Sequence, residues 1–314
     1  MIRPPTHREP VVLGAAVFVL VAVLAGCGDD TTAPIGPAGD EAAAGDPSGS
    51  TSTDAPATTA DSQSTAAPGP PWPTPLAPGE VARWTVEVIE RIDHDPMAFT
   101  QGLEVVDGVG YESTGRRGES TVRRFDPTTG EVTMSVPLAD AVFAEGLTLI
   151  DNRLVQLTYT SGIAYVRSPD DLEVVDTFTY EGEGWGICAP GDDTLWLSDG
   201  TTTLRRLDGE GDRVIESVDV QGAGVTVGQL NELECVAGHV LANMWGRDDI
   251  AVIDPDAGRV VAVIDASALA DEVAPAVASD DQNVLNGIAA LDDGTLLLTG
   301  KRWPTLFRVR LVAD

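Results

Sequence analysis

Apolar and polar residues alternate over short runs from residue 84 to the end of the chain. In residues 84–92, for example, polar Thr85 and Glu87 alternate with apolar Val86 and Val88. A repeat of two residues is typical of a β-strand with one face in a core. Further strand-like runs are residues 121–125, 250–253, 295–299 and 306–311. The pattern predicts an all-β domain built from many short strands.

A four-residue phrase recurs five times between residues 99 and 290. The phrases are Thr100–Leu103, Ala144–Leu147, Gly184–Ile187, Leu230–Leu233 and Leu285–Ile288. Their third positions, residues 102, 146, 186, 232 and 287, lie 44, 40, 46 and 55 residues apart. A period in the low forties, with strand-like segments between, is typical of a β-propeller with one four-stranded blade per repeat. We therefore predict a five-bladed β-propeller.

Turn-forming clusters provide a second marker with the same period. Asp, Pro, Gly, Ser and Thr are concentrated where outer hairpins are expected, at residues 126–130, 168–171, 208–211 and 254–258. The fifth interval is longer because of residues 267–283, which we interpret as a loop or short helix over one face. Only two strand-like runs follow the fifth phrase. We therefore expect the N-terminal strand to complete the last blade and close the ring.

The N-terminus has the features of an export signal. Arg3 and Arg8 precede an apolar run at residues 11–25, which predicts a signal peptide rather than a membrane span. The run ends in Leu24–Cys27, Leu-Ala-Gly-Cys, which resembles a bacterial lipobox. We predict a signal peptide at 1–27 with Cys27 as the lipidation site.

A polar, small-residue segment follows the lipobox. Residues 28–80 are rich in Ala, Thr, Ser, Asp, Pro and Gly and cannot bury enough apolar surface to fold, so we predict a disordered tether. The propeller is then expected at 81–314. This organisation predicts an extracytoplasmic lipoprotein held to the cell membrane by a lipid on Cys27, and an uncleaved membrane anchor is the alternative.

The charge balance excludes some partners. The 314 residues include 50 acidic and 19 basic side chains, for a net charge of −31. Binding to nucleic acid or to an anionic membrane surface requires clustered cations, so both are excluded. We interpret the acidity as a source of solubility and expect a monomer.

Cysteine and histidine usage bears on disulfides and metals. Cys188 and Cys235 follow the third and fourth phrases closely, which places them on inner strands of neighbouring blades. In an exported protein such a pair is expected to form a disulfide, and two buried thiols are the alternative. Only three histidines are present, which argues against a histidine-rich zinc site. We predict neither a metal nor another cofactor.

The repeat places the second residue of each phrase near the central axis of the propeller. These residues are Gln101, Glu145, Trp185, Asn231 and Asn286. A carboxylate, three amides and an indole around one axis predict a site rather than a core. Lys301 is the only lysine among the 19 basic residues, and the pKa of a lysine shifts readily when it is buried.

Longer phrases around these positions resemble those of the plant-type (papaya-type) glutaminyl-peptide cyclotransferases. The phrases are Phe99–Leu103, Tyr111–Gly115, Leu230–Glu234, Asn283–Ala289 and Thr299–Pro304. The resemblance extends over residues 85–311. It implies a five-bladed propeller that converts N-terminal glutamine into pyroglutamate and releases ammonia without a metal. N-terminal glutaminyl peptides or proteins would be its substrates.

Candidate roles follow from the residues and from the resemblance together. Glu145 is the only acid among the five axial residues and matches the catalytic glutamate of the family, so we expect it to act as general acid and base. Lys301 matches a family lysine that is taken to assist the carboxamide oxygen or to anchor substrate. Gln101 and Asn231 match family amides that we assign to substrate binding, although Asn231 could equally cap a strand end.

Aromatic side chains beside the phrases are expected to form the walls of the site. Trp185, Trp245, Phe99 and Phe143 are the candidates, with blade packing as the alternative, especially for the two phenylalanines.

Two other functions also fit the sequence. The first is a calcium-dependent, lactonase-like propeller hydrolase with oxygen ligands from Glu145, Asn231 and Asn286, and Asp199 as a further candidate. The second is a non-catalytic, peptide-binding surface lipoprotein, since propellers host many functions.

Overall fold

The computed structural model of the chain describes residues 80–222, 224–277 and 280–313. The predicted signal peptide, the lipidation site Cys27 and the predicted tether up to residue 79 lie outside the described residues. The described residues form an all-β structure of antiparallel sheets with one short helix. Among them, no helix is long and apolar enough to cross a lipid bilayer.

Three separate four-stranded sheets follow the first strand, β1 (Ala82–Asp93). The first sheet contains β2 (Thr100–Val106), β3 (Val109–Thr114), β4 (Thr121–Phe125) and β5 (Val132–Pro137). The second contains β6 (Ala144–Ile150), β7 (Arg153–Thr158), β8 (Ile163–Arg167) and β9 (Val174–Thr179). The third contains β10 (Ile187–Cys188), β11 (Thr194–Ser198), β12 (Thr203–Asp208) and β13 (Val214–Asp219). In each sheet the strands lie side by side in chain order.

The remaining strands form one eight-stranded sheet. They are β14 (Leu230–Val236), β15 (His239–Met244), β16 (Asp249–Asp254), β17 (Arg259–Asp265), β18 (Leu285–Ala290), β19 (Leu296–Gly300) and β20 (Thr305–Ala313), together with β1. Helix α1 (Ser267–Val273) lies between β17 and β18, within the segment interpreted as a loop or short helix. The order across the sheet is β14-β15-β16-β17-β1-β20-β19-β18.

The first strand joins two sets of four strands in that sheet. β1 pairs antiparallel with β20 along most of its length, as expected for an N-terminal strand that completes the last set. Its residues Ala82–Thr85 also pair in parallel with β17, which the sequence did not predict. The parallel pairing gives hydrogen-bond partners to the outer edge of β17 and merges the two sets into one sheet.

The predicted turn clusters occupy equivalent places in the sheets. They connect β4 to β5, β8 to β9, β12 to β13 and β16 to β17. The first strands of the sets also contact one another in sequence: β2 packs against β6, β6 against β10, β10 against β14, β14 against β18, and β18 against β2.

Glycines in the repeated phrase permit this close packing. A Cβ on Gly102 would lie 2.5 Å from the backbone nitrogen of Leu147, and one on Gly186 would lie 2.1 Å from the carbonyl oxygen of Asn231. Backbones at this separation leave no room for a side chain. The glycine of the first three phrases is therefore required by the contact between successive first strands.

A disulfide connects two of these first strands. Cys188 on β10 is bonded to Cys235 on β14, with a Cα–Cα distance of 5.3 Å. The predicted pairing is confirmed.

Candidate active site

The eight side chains predicted to form the site all line one cavity of about 640 Å³. They are Glu145, Lys301, Gln101, Asn231, Trp185, Trp245, Phe99 and Phe143. Four of them are second residues of the repeated phrase, which lie at or beside the starts of β2, β6, β10 and β14. The contacts between these first strands bring the starts of the strands together, so residues far apart in sequence share one cavity.

A second set of positions reaches the same end of the molecule. In four of the sets, the residue that follows the second strand donates its backbone N–H to a carbonyl oxygen. The acceptor is the residue immediately before the first strand of the same set. These bonds run from Gly115 to Phe99, from Tyr159 to Phe143, from Trp245 to Gln229 and from Lys301 to Val284, at 2.8–2.9 Å. Trp245 and Lys301 are thereby held beside the first-strand residues, which explains how both face the cavity.

Glu145 is a buried carboxylate that has no hydrogen-bonding partner among the described residues. Its side chain is 4% exposed, and the groups that influence it act only through charge. Burial is the largest influence and raises its pKa well above the usual carboxylate range. The Lys301 ammonium opposes the rise, and the Glu183 carboxylate adds to it. Glu145 therefore holds a proton at pH values where an exposed glutamate is ionised.

Lys301 is also buried, at 3% exposure, and burial shifts its pKa in the opposite direction. Desolvation lowers the pKa to about 8, against the attraction of the Glu145 carboxylate. Its Nζ lies 5.1 Å from the centroid of the Phe99 ring, a cation–π distance. The guanidinium groups of Arg116 and Arg302 each lie 5.5 Å from the same ring. Positive charge is thus gathered at one wall of the cavity in an acidic chain.

Two of the predicted amides lie on the cavity wall, and a third supports one of them. Gln101 and Asn231 are buried, and the Oδ1 atom of Asn231 has no hydrogen-bond partner among the described residues. An unpaired buried acceptor of this kind is unfavourable until a ligand or water satisfies it. Asn286 does not line the cavity; its Nδ2 donates to the Thr100 carbonyl at 3.0 Å and to Gln101 Oε1 at 3.4 Å. Asn286 therefore orients Gln101 and leaves the Nε2 donor of that amide for a ligand.

Aromatic rings form a continuous arc along the wall. Phe99 contacts Phe143 with ring centroids 6.2 Å apart, Phe143 contacts Tyr159 at 5.8 Å, and Tyr159 contacts Trp185 at 6.3 Å. Gly115 makes room for the arc, because a Cβ there would lie 2.4 Å from the Phe143 ring. Edge-to-face contacts of this kind favour fixed ring positions. The arc therefore provides a rigid apolar wall to the cavity.

Comparison with known proteins identifies the family. The sequence model for glutamine cyclotransferase matches residues 57–311. The chain belongs to the glutamine cyclotransferase family. A glutaminyl-peptide cyclotransferase of Arabidopsis thaliana is 37% identical over 229 residues, which are 72% of this chain and 71% of the plant protein. The crystal structure of the Myxococcus xanthus glutaminyl cyclase is 39% identical and has a TM-score of 0.70, covering 75% of this chain and all of the bacterial one.

Several residues of the cavity in this family member were not predicted from its sequence. Tyr159, Arg116 and Arg117 line it, and Glu183 contacts its wall. A signal for Tyr159 exists in the spacing. Residues 115, 159, 199 and 245 each lie 14 residues after a second phrase position, and residue 301 lies 15 after residue 286. The offset of 14 residues that contains Trp245 therefore also contains Tyr159, and the offset of Lys301 is one residue longer. We find no corresponding sequence signal for Glu183.

The ligands considered for a calcium site do not converge. Asp199 is absent from the cavity lining; it accepts hydrogen bonds from Thr201 and lies 3.7 Å from Arg205. Asn286 is also outside the lining, as described above. Within residues 80–222, 224–277 and 280–313, no group of three or more His, Cys, Asp or Glu side chains is arranged to hold a metal ion.

Proposed function

We propose that the chain is a glutaminyl-peptide cyclotransferase, which converts an N-terminal glutamine into pyroglutamate and releases ammonia. The observation that carries the proposal is the presence in one cavity of a buried, unpaired Glu145 carboxylate and a buried Lys301 ammonium. Family membership supports it, since the plant relative is named for this activity and the bacterial neighbour is a glutaminyl cyclase.

The proposed reaction needs no reactant besides the substrate. The α-amine nitrogen of the N-terminal glutamine attacks the carbon of its own side-chain amide. A new C–N bond closes the ring, the bond to the amide nitrogen breaks, and that nitrogen leaves as ammonia. The amine loses one proton and the leaving nitrogen gains one. A single side chain that accepts and then returns a proton can therefore serve both steps.

Glu145 is suited to both proton transfers. An acid-base group works best when its pKa lies near the working pH, and burial raises the pKa of Glu145 toward that range. The ionised form removes a proton from the α-amine, and the protonated form then delivers it to the leaving nitrogen. The lack of competing hydrogen bonds leaves the carboxylate available for substrate.

Lys301 and Gln101 supply positive charge and a donor for the oxygen of the substrate amide. Negative charge develops on that oxygen as the amine attacks, and fixed donors in a site that excludes water stabilise it strongly. Asn231 offers an acceptor for the α-amine. These three side chains and Glu145 line the cavity. Together they can supply the acid-base group, the positive charge and the hydrogen-bonding groups of the reaction, and we propose that it is metal-independent.

The aromatic arc serves to hold the substrate in a reactive conformation. Ring closure requires the glutamine side chain to curl back on its own amine, and positioning of this kind contributes strongly to the rate. Phe99, Phe143 and Trp185, with Trp245, provide apolar surface for the methylene groups. The same surface limits water, which would otherwise hydrolyse the amide.

We also propose that the four-strand sets are the blades of a five-bladed propeller closed by β1. The support lies in three separate four-stranded sheets, the antiparallel pairing of β1 with β20, and the cycle of contacts from β2 through β18 back to β2. A cavity at one end of the strands near the axis is expected of this architecture.

We propose that the chain is exported and anchored by a lipid on Cys27. The support is the sequence pattern alone, a charged and apolar leader that ends in a lipobox. In cells that express the full chain, the protein should fractionate with membranes, and Cys27→Ser should release it or leave the leader uncleaved. A variant that is processed and retained on membranes like the wild type would contradict the anchor.

The catalytic proposal is tested with a peptide that begins with glutamine. The purified protein should release ammonia and form the pyroglutamyl peptide at the same rate with and without a metal chelator. Glu145→Gln should reduce kcat by about a thousandfold or more while the fold is retained, since removal of a general acid-base group typically costs 10²–10⁴-fold. Loss of activity in chelator would favour the calcium-dependent hydrolase. If the wild type binds the peptide without turnover, and Glu145→Gln binds it with the same affinity, the result would favour the binding protein.

A further inference from the structure

Glu183 is a second carboxylate at the edge of the cavity. It lies half-buried between β9 and β10, two residues before Trp185. The indole Nε1 of Trp185 donates a hydrogen bond to Glu183 Oε2 at 2.9 Å. The Glu183 carboxylate also raises the pKa of the Tyr159 hydroxyl, and the Tyr159 ring packs against that of Trp185 with centroids 6.3 Å apart. One carboxylate therefore acts on two of the aromatic side chains that line the cavity.

The backbone that carries Glu183 is fixed from two directions. The Arg205 guanidinium on β12 donates to the carbonyl oxygen of Glu181 at 2.6 Å and to that of Glu183 at 3.1 Å. The N–H of Gly184 donates to the carbonyl oxygen of Tyr159 at 3.1 Å. The position of the carboxylate is thus set by the surrounding strands.

The charge of Glu183 acts on Glu145. A neighbouring like charge favours the protonated carboxyl group, so Glu183 raises the pKa of Glu145 while Lys301 lowers it. Tyr159 and Tyr180 also respond to Glu145, whose charge raises the pKa of each.

Two arginines complete the set of charges around these tyrosines. Arg117 lowers the pKa of Tyr159, and Arg205 lowers the pKa of Tyr180. Burial, Lys301 and Glu183 are the influences that shift the proposed acid itself.

We infer that Glu183 is a positioning residue for the cyclisation, an inference that rests on the proposed function. Its carboxylate accepts the hydrogen bond that holds Trp185 as a fixed wall, and its negative charge acts on Glu145. Fixed walls keep the glutamine side chain curled for ring closure. The charge favours the protonated form of Glu145, which must donate to the departing ammonia.

Two variants of Glu183 separate the hydrogen bond from the charge. Glu183→Gln keeps a side-chain oxygen that can accept from Trp185 but removes the charge, whereas Glu183→Ala removes both. Glu181→Gln is the matched control, because it removes one negative charge from the same segment and its exposed side chain does not contact the walls. For each variant, kcat and KM for a glutamine-initiated peptide are measured across pH.

The expected results differ between the variants. Glu183→Gln should move the acidic limb of the kcat profile to lower pH by about half a unit or more, because removal of a like charge lowers the pKa of Glu145. It should leave KM within about twofold of the wild type, whereas Glu183→Ala should raise KM about tenfold through loss of substrate positioning. Glu181→Gln should leave both the limb and KM in place.

Two outcomes would overturn the inference. The first is a pH profile of Glu183→Gln that superimposes on that of Glu181→Gln, together with a wild-type KM in Glu183→Ala. The second is a change of kcat or KM in both Glu183 variants that is explained by a fall in Tm, while the acidic limb does not move. That result would indicate a merely structural role.

Failure of the proposed function would be visible separately. If the wild-type protein forms no pyroglutamate, the cyclotransferase proposal fails, and the contact is tested by the indole N–H signal of Trp185, assigned with Trp185→Phe. That signal should shift in Glu183→Ala and stay in place in Glu181→Gln. An unmoved signal in Glu183→Ala would overturn the positioning role independently of activity.

Discussion

Glu145 and Lys301 illustrate how burial competes with charge attraction in a single cavity. Attraction between a carboxylate and an ammonium favours the charged form of both groups. Burial has the larger effect, because the pKa of Glu145 is raised and that of Lys301 is lowered to about 8 in spite of their attraction. Both groups are therefore brought closer to the pH at which a proton is exchanged easily, as an acid-base site requires.

The pKa of Lys301 leads to a prediction for its replacement. Lys301→Met should lower kcat/KM by about a hundredfold at neutral pH, because a stabilising charge at the developing oxyanion is lost. The ratio of wild-type to variant kcat/KM should be largest below pH 8 and should fall above it, as wild-type Lys301 loses its proton at about pH 8. Using the ratio cancels the titration of the substrate amine, which is common to both enzymes.

The same replacement should also affect Glu145. Because the ammonium lowers the pKa of Glu145, its removal should move the acidic limb of the profile to higher pH. Lys301→Arg serves as the control that keeps a positive charge. A ratio that stays constant across pH 8 would contradict the role assigned to Lys301.

Residues that the repeat marks were predictable from the sequence, and those that depend on side-chain direction were not. Glu145 could be identified because it is the only acid among the second phrase positions, and Lys301 because it is the only lysine. Tyr159 lies outside the phrase, at the end of the second strand of its set, and was missed although Trp245 occupies the corresponding position. Glu183 reaches Trp185 only through the direction of an indole ring, which no periodicity encodes.

At the level of the elements, β10 is the most weakly paired of the first strands. It contains only Ile187 and Cys188, whereas the other first strands contain six or seven residues. The disulfide to Cys235 attaches β10 to β14. Trp185 lies two residues before β10, Asn231 lies on β14, and both line the cavity. The covalent bond therefore compensates for a short strand at the site.

Removal of this disulfide should destabilise the fold. The bonded cysteines are 47 residues apart, and closing a loop of that size in the unfolded chain corresponds to about 4 kcal/mol in the chain-entropy description. We expect Cys188→Ala/Cys235→Ala to lower the free energy of unfolding by about 2–4 kcal/mol in urea titrations. At temperatures where the variant remains folded, kcat should be within about threefold of the wild type. A variant as stable as the wild type would contradict the stabilising role.

The elements themselves were largely predictable because two independent patterns agree. Turn clusters predicted the hairpins between the outer strands, and alternation predicted β1, β4, β16 and β20 to within about two residues. The parallel pairing of Ala82–Thr85 with β17 was not predicted, because it depends on where the end of one set approaches the next. Sequence periodicity describes contacts within a set better than contacts between sets.

At the scale of the whole molecule, three further carboxylates lie inside the structure. Glu104, Glu232 and Glu234 interact with one another, and burial raises the pKa of each. Glu232 accepts backbone hydrogen bonds from Leu103 at 3.3 Å and Ile288 at 2.9 Å, so it links three first strands. A raised pKa in the folded state means that ionisation opposes folding.

These three carboxylates should therefore make the molecule less stable as pH rises. For Glu104 the folded pKa is about 7 and the unfolded value is 4.5. Its contribution is fully present below pH 4.5 and is lost as pH rises through 7. The free energy of unfolding of the wild type should fall between pH 5 and pH 8.5. In Glu104→Gln this fall should be smaller by about 2 kcal/mol. The free energies are measured by urea titration at each pH. Glu131→Gln, which replaces an exposed glutamate, is the control and should match the wild type. A pH dependence of Glu104→Gln equal to that of the wild type would contradict the account.

The most direct test follows one nitrogen atom through the proposed reaction. A peptide whose N-terminal glutamine carries ¹⁵N in the side-chain amide is incubated with the full chain and with its Glu145→Gln variant, and the products are analysed by mass spectrometry. The account predicts labelled ammonia and an unlabelled pyroglutamyl peptide from the wild type, with turnover reduced by about a thousandfold or more in the variant. Label retained in the peptide product, or a variant as active as the wild type, would contradict it.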